Sequence, residues 1–154
     1  ENQFRRREYK DSDINTPLLI GYFDIETAFN GSTLDENSNI VKGIGGFPKP
    51  EQANAPITSI TILVKGQYYV FGMKDIERPL DHDAKYLKCK SEKDLLKQFF
   101  KLTKVTNIDM LLAWNGEGFD YPFIINRMKY LEMDLSIIDH NGLVKRKNFI
   151  NQIM

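Results

Sequence analysis

The apolar positions come in short bursts separated by polar, glycine- and proline-rich chain. Leu18-Leu19-Ile20-Gly21-Tyr22-Phe23-Asp24-Ile25 is almost continuously apolar, a run that suits an inner strand covered on both faces better than an amphipathic helix. Residues 57 to 64 alternate and are β-branched, which predicts a second strand. Lys65-Gly66-Gln67 predicts a tight turn, and residues 68 to 73 the return of a hairpin that pairs with the first strand. Ser91, with Asp94 three residues on, reads as a helix N-cap in an approximate capping box. Leu95, Leu96, Phe99 and Phe100 then follow at helical spacing and give one apolar face. Residues 109 to 114 predict another short buried strand that stops at Asn115-Gly116. A second helix follows, with Pro122 tolerated in its first turn and Phe119, Phe123, Ile124, Met128 and Leu131 on its inner side.

Between these elements the chain is polar. Residues 1–15 read as an arm, or as the remnant of a preceding domain, and residues 16–154 as one domain. From Ala28 to Pro56 the composition supports no long regular element, and a loop of that length often borders a functional site. Its glycines do not make a phosphate loop, because no Gly-Lys-Ser/Thr follows. Residues 74 to 90 read as a polar connection, and residues 137 to 154 as an Asn141-Gly142 turn with a basic segment and no closing element. The order is strand, hairpin, helix, strand, helix. A strand reached through a helical crossover returns parallel to the sheet. The expected fold is therefore α/β, a ribonuclease-H-like mixed sheet made of a β-hairpin plus a parallel strand, with helices and incomplete at the C-terminus.

The 154 residues fit one domain with a real core, at 42% hydrophobic and 27% charged. Net charge is zero, so bulk charge gives no argument for nucleic-acid binding. Arg5-Arg6-Arg7 and Lys145-Arg146-Lys147 read as solvated surface runs. A lone Cys89 excludes a disulfide framework and a thiolate zinc site, and His82 and His140 have no ligand spacing. This composition fits a reducing, cytoplasmic setting. No apolar run reaches the roughly 20 residues that span a bilayer, and no membrane partner is expected.

Asp24 and Glu26 stand two apart on a strand, so both project from one face while Ile25 turns to the core. Two carboxylates this close repel unless a cation lies between them. Hard oxygen donors suit Mg²⁺ or Mn²⁺, and two such ions can stabilise both the attacking and the leaving oxygen in phosphodiester hydrolysis. Asp120 supplies a third carboxylate if the two strands are neighbours. Each feature alone also has an ordinary explanation. Asp-x-Glu commonly marks a solvated strand end, Asp120 before Tyr121-Pro122 can cap a helix, and Asn115-Gly116 can be a plain turn.

Together the motifs carry more. Phe23-Asp24-Ile25-Glu26-Thr27 resembles the first exonuclease motif of the family B DNA polymerases. Asn115-Gly116-Glu117-Gly118-Phe119-Asp120-Tyr121-Pro122-Phe123-Ile124, continuing to Arg127, resembles their second, Asn-x-x-x-Phe/Tyr-Asp. The order, the spacing of about 90 residues, and the intervening Phe47-Pro48-Lys49-Pro50 and Ala55-Pro56-Ile57-Thr58-Ser59-Ile60 also match, with a flavour closer to phage polymerases than to cellular replicases. The resemblance covers roughly residues 18 to 145. It implies a 3′–5′ proofreading exonuclease of the DEDD type. By it, Asp24 bridges two metal ions, Glu26 binds one, and Asp120 holds the second largely through water. Thr27, Asn115 and Phe119 would contact the single-stranded 3′ end of DNA, Phe119 by sequence-insensitive stacking. A phage-encoded protein of this kind would work in the host cytoplasm.

The family's third motif, Tyr-x-x-x-Asp, supplies the last ligand and lies further downstream. Tyr130-Leu131-Glu132-Met133-Asp134 has the spacing, but on one continuous helix Asp134 would stand about 20 Å from Asp120, too far for a shared ion pair. Tyr130 and Leu131 read instead as the packed end of the second helix. Without that motif and the palm motifs, the chain is expected to be inactive alone, with weak metal affinity and the remainder of the polymerase as its partner. Two alternatives stand beside the proofreading fragment. One is a non-catalytic N-terminal assembly subunit of a split polymerase, docking through an exposed strand edge. The other is a stand-alone DEDD nuclease that recruits Asp134 or Asp139.

Overall fold

Phe23 and Ile25 are almost fully buried while Tyr22, Asp24 and Glu26 between them are exposed, so strand β1 (Ile20–Thr27) has one inward and one outward face. The computed structural model describes residues 17–138. The terminal arm, the Asn141-Gly142 turn, both basic runs, His140 and Asp139 lie outside them. After β1 come two two-residue strands, β2 (Thr33–Leu34) and β3 (Ile40–Val41), which pair only with each other. The long strand β4 (Ile57–Val64) pairs antiparallel with β1 and turns back into β5 (Gln67–Gly72). At the turn, Lys65 and Gly66 both have positive φ, 51° and 74°. That is the two-residue turn whose twist matches a hairpin.

Strand β6 (Lys85–Lys88) then pairs parallel with β5, a strand that the polar reading of residues 74 to 90 missed. Helix α1 (Glu92–Val105) starts at Ser91, whose hydroxyl oxygen accepts from the Asp94 amide, while the Asp94 carboxylate accepts from the Lys90 amide. The first is a true N-cap bond, typically about 1 kcal/mol of helix stability, while the second reaches one residue past the Ser91 amide that a full capping box would use. Leu95, Leu96, Phe99 and Phe100 are buried against the sheet. Each contributes on the order of 1.5–3 kcal/mol by leaving water. Strand β7 (Met110–Leu112) pairs parallel with β1, as the crossover requires, and helix α2 (Tyr121–Tyr130) follows.

The sheet order is β6-β5-β4-β1-β7, a mixed α/β sheet with helices, as expected. Phe99 is the centre of the core: its ring meets Phe23 at 5.6 Å, Phe71 at 6.1 Å and Phe100 at 5.0 Å. Phe123, Ile124 and Met128 bring α2 onto the same core, with Phe119 and Leu131 packed at its margin. Three expectations need correction. β1 is covered on one face only among the described residues, because both helices pack on the Phe23 side. β7 is a half-exposed edge strand, with Met110 and Leu112 open to solvent and Trp114 beyond it fully exposed. Tyr130 is exposed too, its ring lying 4.7 Å from the Arg127 guanidinium rather than in the core.

Candidate active site

Parallel pairing of β1 with β7, Ile20 to Met110 through Tyr22 to Leu112, carries both strands in one direction. The segment leaving β7 is therefore delivered to the end of the sheet where β1 exposes Asp24 and Glu26. There, residues 116–120 form a π-helical turn in which the Asp120 amide donates to Asn115 O at 3.3 Å and the Phe119 amide to the same oxygen at 2.7 Å. The Asn115 side chain folds back over this turn. A Cβ on Gly118 would collide with Asn115 Oδ1, so glycine is the residue that lets the amide lie there. Tyr121 locks the arrangement: its hydroxyl donates to Leu111 O on β7, and its ring stands edge-on to Phe23 at 5.2 Å. Burial pushes the Tyr121 phenol up to about 12, which keeps it a donor.

The wide turn carries Asp120 inward. Its side chain is 3% exposed and makes no capping bond to α2, which removes the helix-cap explanation. Burial raises its pKa above the ordinary 3.8, and the neighbouring Asp24 carboxylate raises it further, while the amides of Ile25 and Asn115 and its own work against the shift. Asp24 and Asp120 are thus close enough to repel. Glu26 stands exposed one pleat beyond Asp24, opposite Ser59, at a bulge where Thr27 pairs with Ile57 and Thr58 is skipped. The bulge is fastened by the Thr58 hydroxyl, which donates to Glu26 O at 3.1 Å. Thr27 itself is half-buried, and Asn115 is exposed at the turn's start.

Among the described residues no three His, Cys, Asp or Glu side chains converge closely enough to hold a metal ion as they stand. The donor set nevertheless fits one. A buried carboxyl whose ionisation is opposed first by burial and then by the neighbouring Asp24, with Glu26 two residues along the same strand, is an oxygen donor set that a divalent cation relieves. Asp134 is elsewhere. Helix α2 ends at Tyr130 and Glu132 takes a φ of 53°, so no continuous helix runs on to Asp134. Its carboxylate is occupied by the amide and hydroxyl of Ser136, at 2.9 and 2.5 Å. Cys89 is no rival centre, because burial pushes its thiol up to about 11.

Two groups beside the carboxylates went unassigned in the sequence. Phe47, exposed on the proline-rich loop, meets Phe119 at 5.0 Å and so widens its aromatic surface. Glu92 and Arg127 form a buried ion pair behind the site. Arg127 ends the second motif with no role assigned to it there, and Glu92 is the first residue of α1. No local periodicity links residues 35 apart.

An inner strand ending in paired acids, a parallel neighbour and a third acid at the next helix mouth define a ribonuclease-H-like exonuclease domain. Residues 3–153 match the family model described as DNA polymerase family B, exonuclease domain, and the chain belongs to that family. It is similar to the DNA-directed DNA polymerase of Escherichia phage RB69, 25% identical over 141 residues, covering 75% of this chain and 14% of that protein. The DNA polymerase of Bombyx mori nuclear polyhedrosis virus is 32% identical over 80 residues, 51% of this chain and 8% of that protein. DNA polymerase 1 of Sulfurisphaera ohwakuensis is 30% identical over 107 residues, 64% of this chain and 12% of its own length. The chain therefore spans a small fraction of each of these relatives.

Proposed function

We propose that this domain belongs to a DNA-directed DNA polymerase and removes mismatched 3′ ends by metal-dependent 3′–5′ hydrolysis. The observation that carries the reading is Asp120, buried without a cap bond and set against Asp24. Asp24, Glu26 and Asp120 would hold Mg²⁺ or Mn²⁺, which supplies charge stabilisation for the attacking and leaving oxygens. In that role Asp24 and Glu26 would act from the end of β1 and Asp120 from the mouth of α2. Thr27, Asn115 and Phe119 contact the unpaired 3′ end. Phe119 and Phe47 offer faces on which any base stacks, so recognition depends on fraying rather than on sequence. The work takes place where DNA is copied, the cytoplasm, or the host's if the gene is a phage's.

These 154 residues alone are expected to bind the ion weakly and not to turn over DNA, since Asp134 is engaged elsewhere and, among the described residues, the carboxylates do not close into a cage. The test is incubation with 3′-labelled single-stranded DNA and Mn²⁺. Turnover abolished by Asp24→Ala would overturn the inactivity, and Mn²⁺ binding untouched by Asp24→Ala would overturn the site. A second reading, a non-catalytic assembly subunit, is favoured by one feature: β7 ends the sheet and its outer edge is unpaired among the described residues. Such an edge invites a further strand. Catalytic rescue on mixing with the remainder of the polymerase separates the two, because only the first needs Asp24 for that rescue.

A further inference from the structure

Glu92 and Arg127 are each 6% exposed, and between them they join α1, α2, the loop at Ala53 and the start of β4. Arg127 donates through Nε to Glu92 Oε1 and through Nη2 to Oε2, both at 2.8 Å, and through Nη1 to Ala53 O at 3.0 Å. Glu92 Oε1 also accepts from the Ile57 amide at 2.7 Å. Ile57 is the residue that faces Thr27 across the bulge, and next to it Pro56 O accepts from the Ala28 amide at 2.9 Å. On the other side, Asp120, Phe123, Ile124, Arg127 and Met128 make up one buried stripe, with Asp120 at its start. The neighbouring Asn126 amide donates to Pro50 O at 2.9 Å, fastening the same helix to the same loop.

We infer that the Glu92–Arg127 pair is a positioning unit: it sets the end of β1, through Ile57, and the body of α2, through Arg127 in its last turn, at one fixed separation, so that Asp120 at the head of that helix meets Asp24 and Glu26. A buried ion pair is a poor source of net stability, because desolvating both charges offsets most of their attraction. Its physical return is geometric. The planar guanidinium forks onto two carboxylate oxygens and a carbonyl at fixed angles, which neither an apolar pair nor a lysine reproduces. Hydrogen-bonded partners of metal ligands commonly change affinity about 10–100-fold when altered, and a unit one step further out that sets the ligands' spacing is expected to act at the lower end of that range. This inference rests on the carboxylate site proposed above.

The experiment is Mn²⁺ titration of the isotopically labelled chain, read as paramagnetic broadening of individual amides. In the wild type, amides 24–27 and 115–120 broaden at the same Mn²⁺ concentration. With Glu92→Gln and Arg127→Met combined, both groups are expected to need about tenfold more Mn²⁺, because Asp120 no longer meets the strand-end carboxylates at the right distance. Arg127→Lys, which keeps the charge and protects the fold, should fall between them. If both variants broaden the two groups together at the wild-type concentration, the pair only stabilises and the inference is overturned, whatever the melting temperature does. If the wild type broadens neither group, the carboxylate site itself is overturned, and the inference with it.

Discussion

The two faces of β1 obey different rules. On one, Phe23 and Ile25 pack against Phe99 and Tyr121 in a core where most side chains are under 10% exposed. On the other, Tyr22, Asp24 and Glu26 meet no packed layer among the described residues, and Tyr22 is 53% exposed. Successive residues of one strand thus alternate between the packed core and open solvent. An acid on the packed face would be an isolated buried charge. On the open face it keeps its contact with water and its reach. Asp120 is the exception that joins the faces, because it is buried like a core residue yet is a carboxyl set near Asp24.

Substitutions that act on one face at a time test this division. Phe99→Ala should have the largest effect, a loss of about 3–5 kcal/mol in urea unfolding, since it empties the centre of an aromatic cluster. A loss near zero would mean that the packed face does not hold the domain together. Tyr121→Phe removes the hydroxyl bond that ties α2 to β7 and should lower stability by about 1 kcal/mol, measured the same way. On the open face Tyr22→Ala should stay within about 0.5 kcal/mol, while Asp24→Asn should abolish Mn²⁺ binding with equally little change in unfolding.

Asp120→Asn should give the smallest effect, and of opposite sign. The native carboxyl titrates above its unfolded value of 3.8, so the protonated form stabilises the fold and that contribution is lost as pH rises through the raised native pKa. In metal-free buffer at neutral pH the amide variant should therefore melt slightly higher than the wild type. The advantage should vanish once the pH falls below the unfolded carboxyl's range, where both proteins carry a neutral side chain. A wild type that melts higher than the variant at neutral pH without metal would show that Asp120 is compensated rather than strained.

Much of the packed face was legible because it is written in local periodicity. Ser91, Asp94 and the Leu95 to Phe100 spacing mark α1, and the β-branched alternation of residues 57 to 64 marks β4. The open face was not legible. Leu18 to Ile25 looks apolar throughout, because Tyr22 and Gly21 read as core and only packing shows which side meets helices. Strand β6 was hidden for another reason: Lys85 and Lys88 bracket Tyr86 and Leu87, and its pairing with β5 is decided across the sheet rather than along the chain. At the site, the strand geometry of Asp24 and Glu26 follows from alternation alone, whereas the π-helical turn that buries Asp120 has no signal beyond Gly116 and Gly118. The Glu92–Arg127 bridge is a long-range fact with no local trace.

The pairing of β1 with β7 also sets a timetable. Ile20 and Met110 must find each other across the whole intervening domain, whereas β4 and β5 close over two residues and α1 forms within its own sequence. Closing so long a loop carries a larger entropic cost, and folds that depend on such contacts assemble slowly. The hairpin and α1 are therefore expected to acquire hydrogen-exchange protection first during refolding, with the amides around Leu111 and Leu112 trailing. Equal protection times would remove that order. If the order holds, Asp120 arrives last, and a nascent or partly refolded chain spends its early life as a stable scaffold with no chemistry on it.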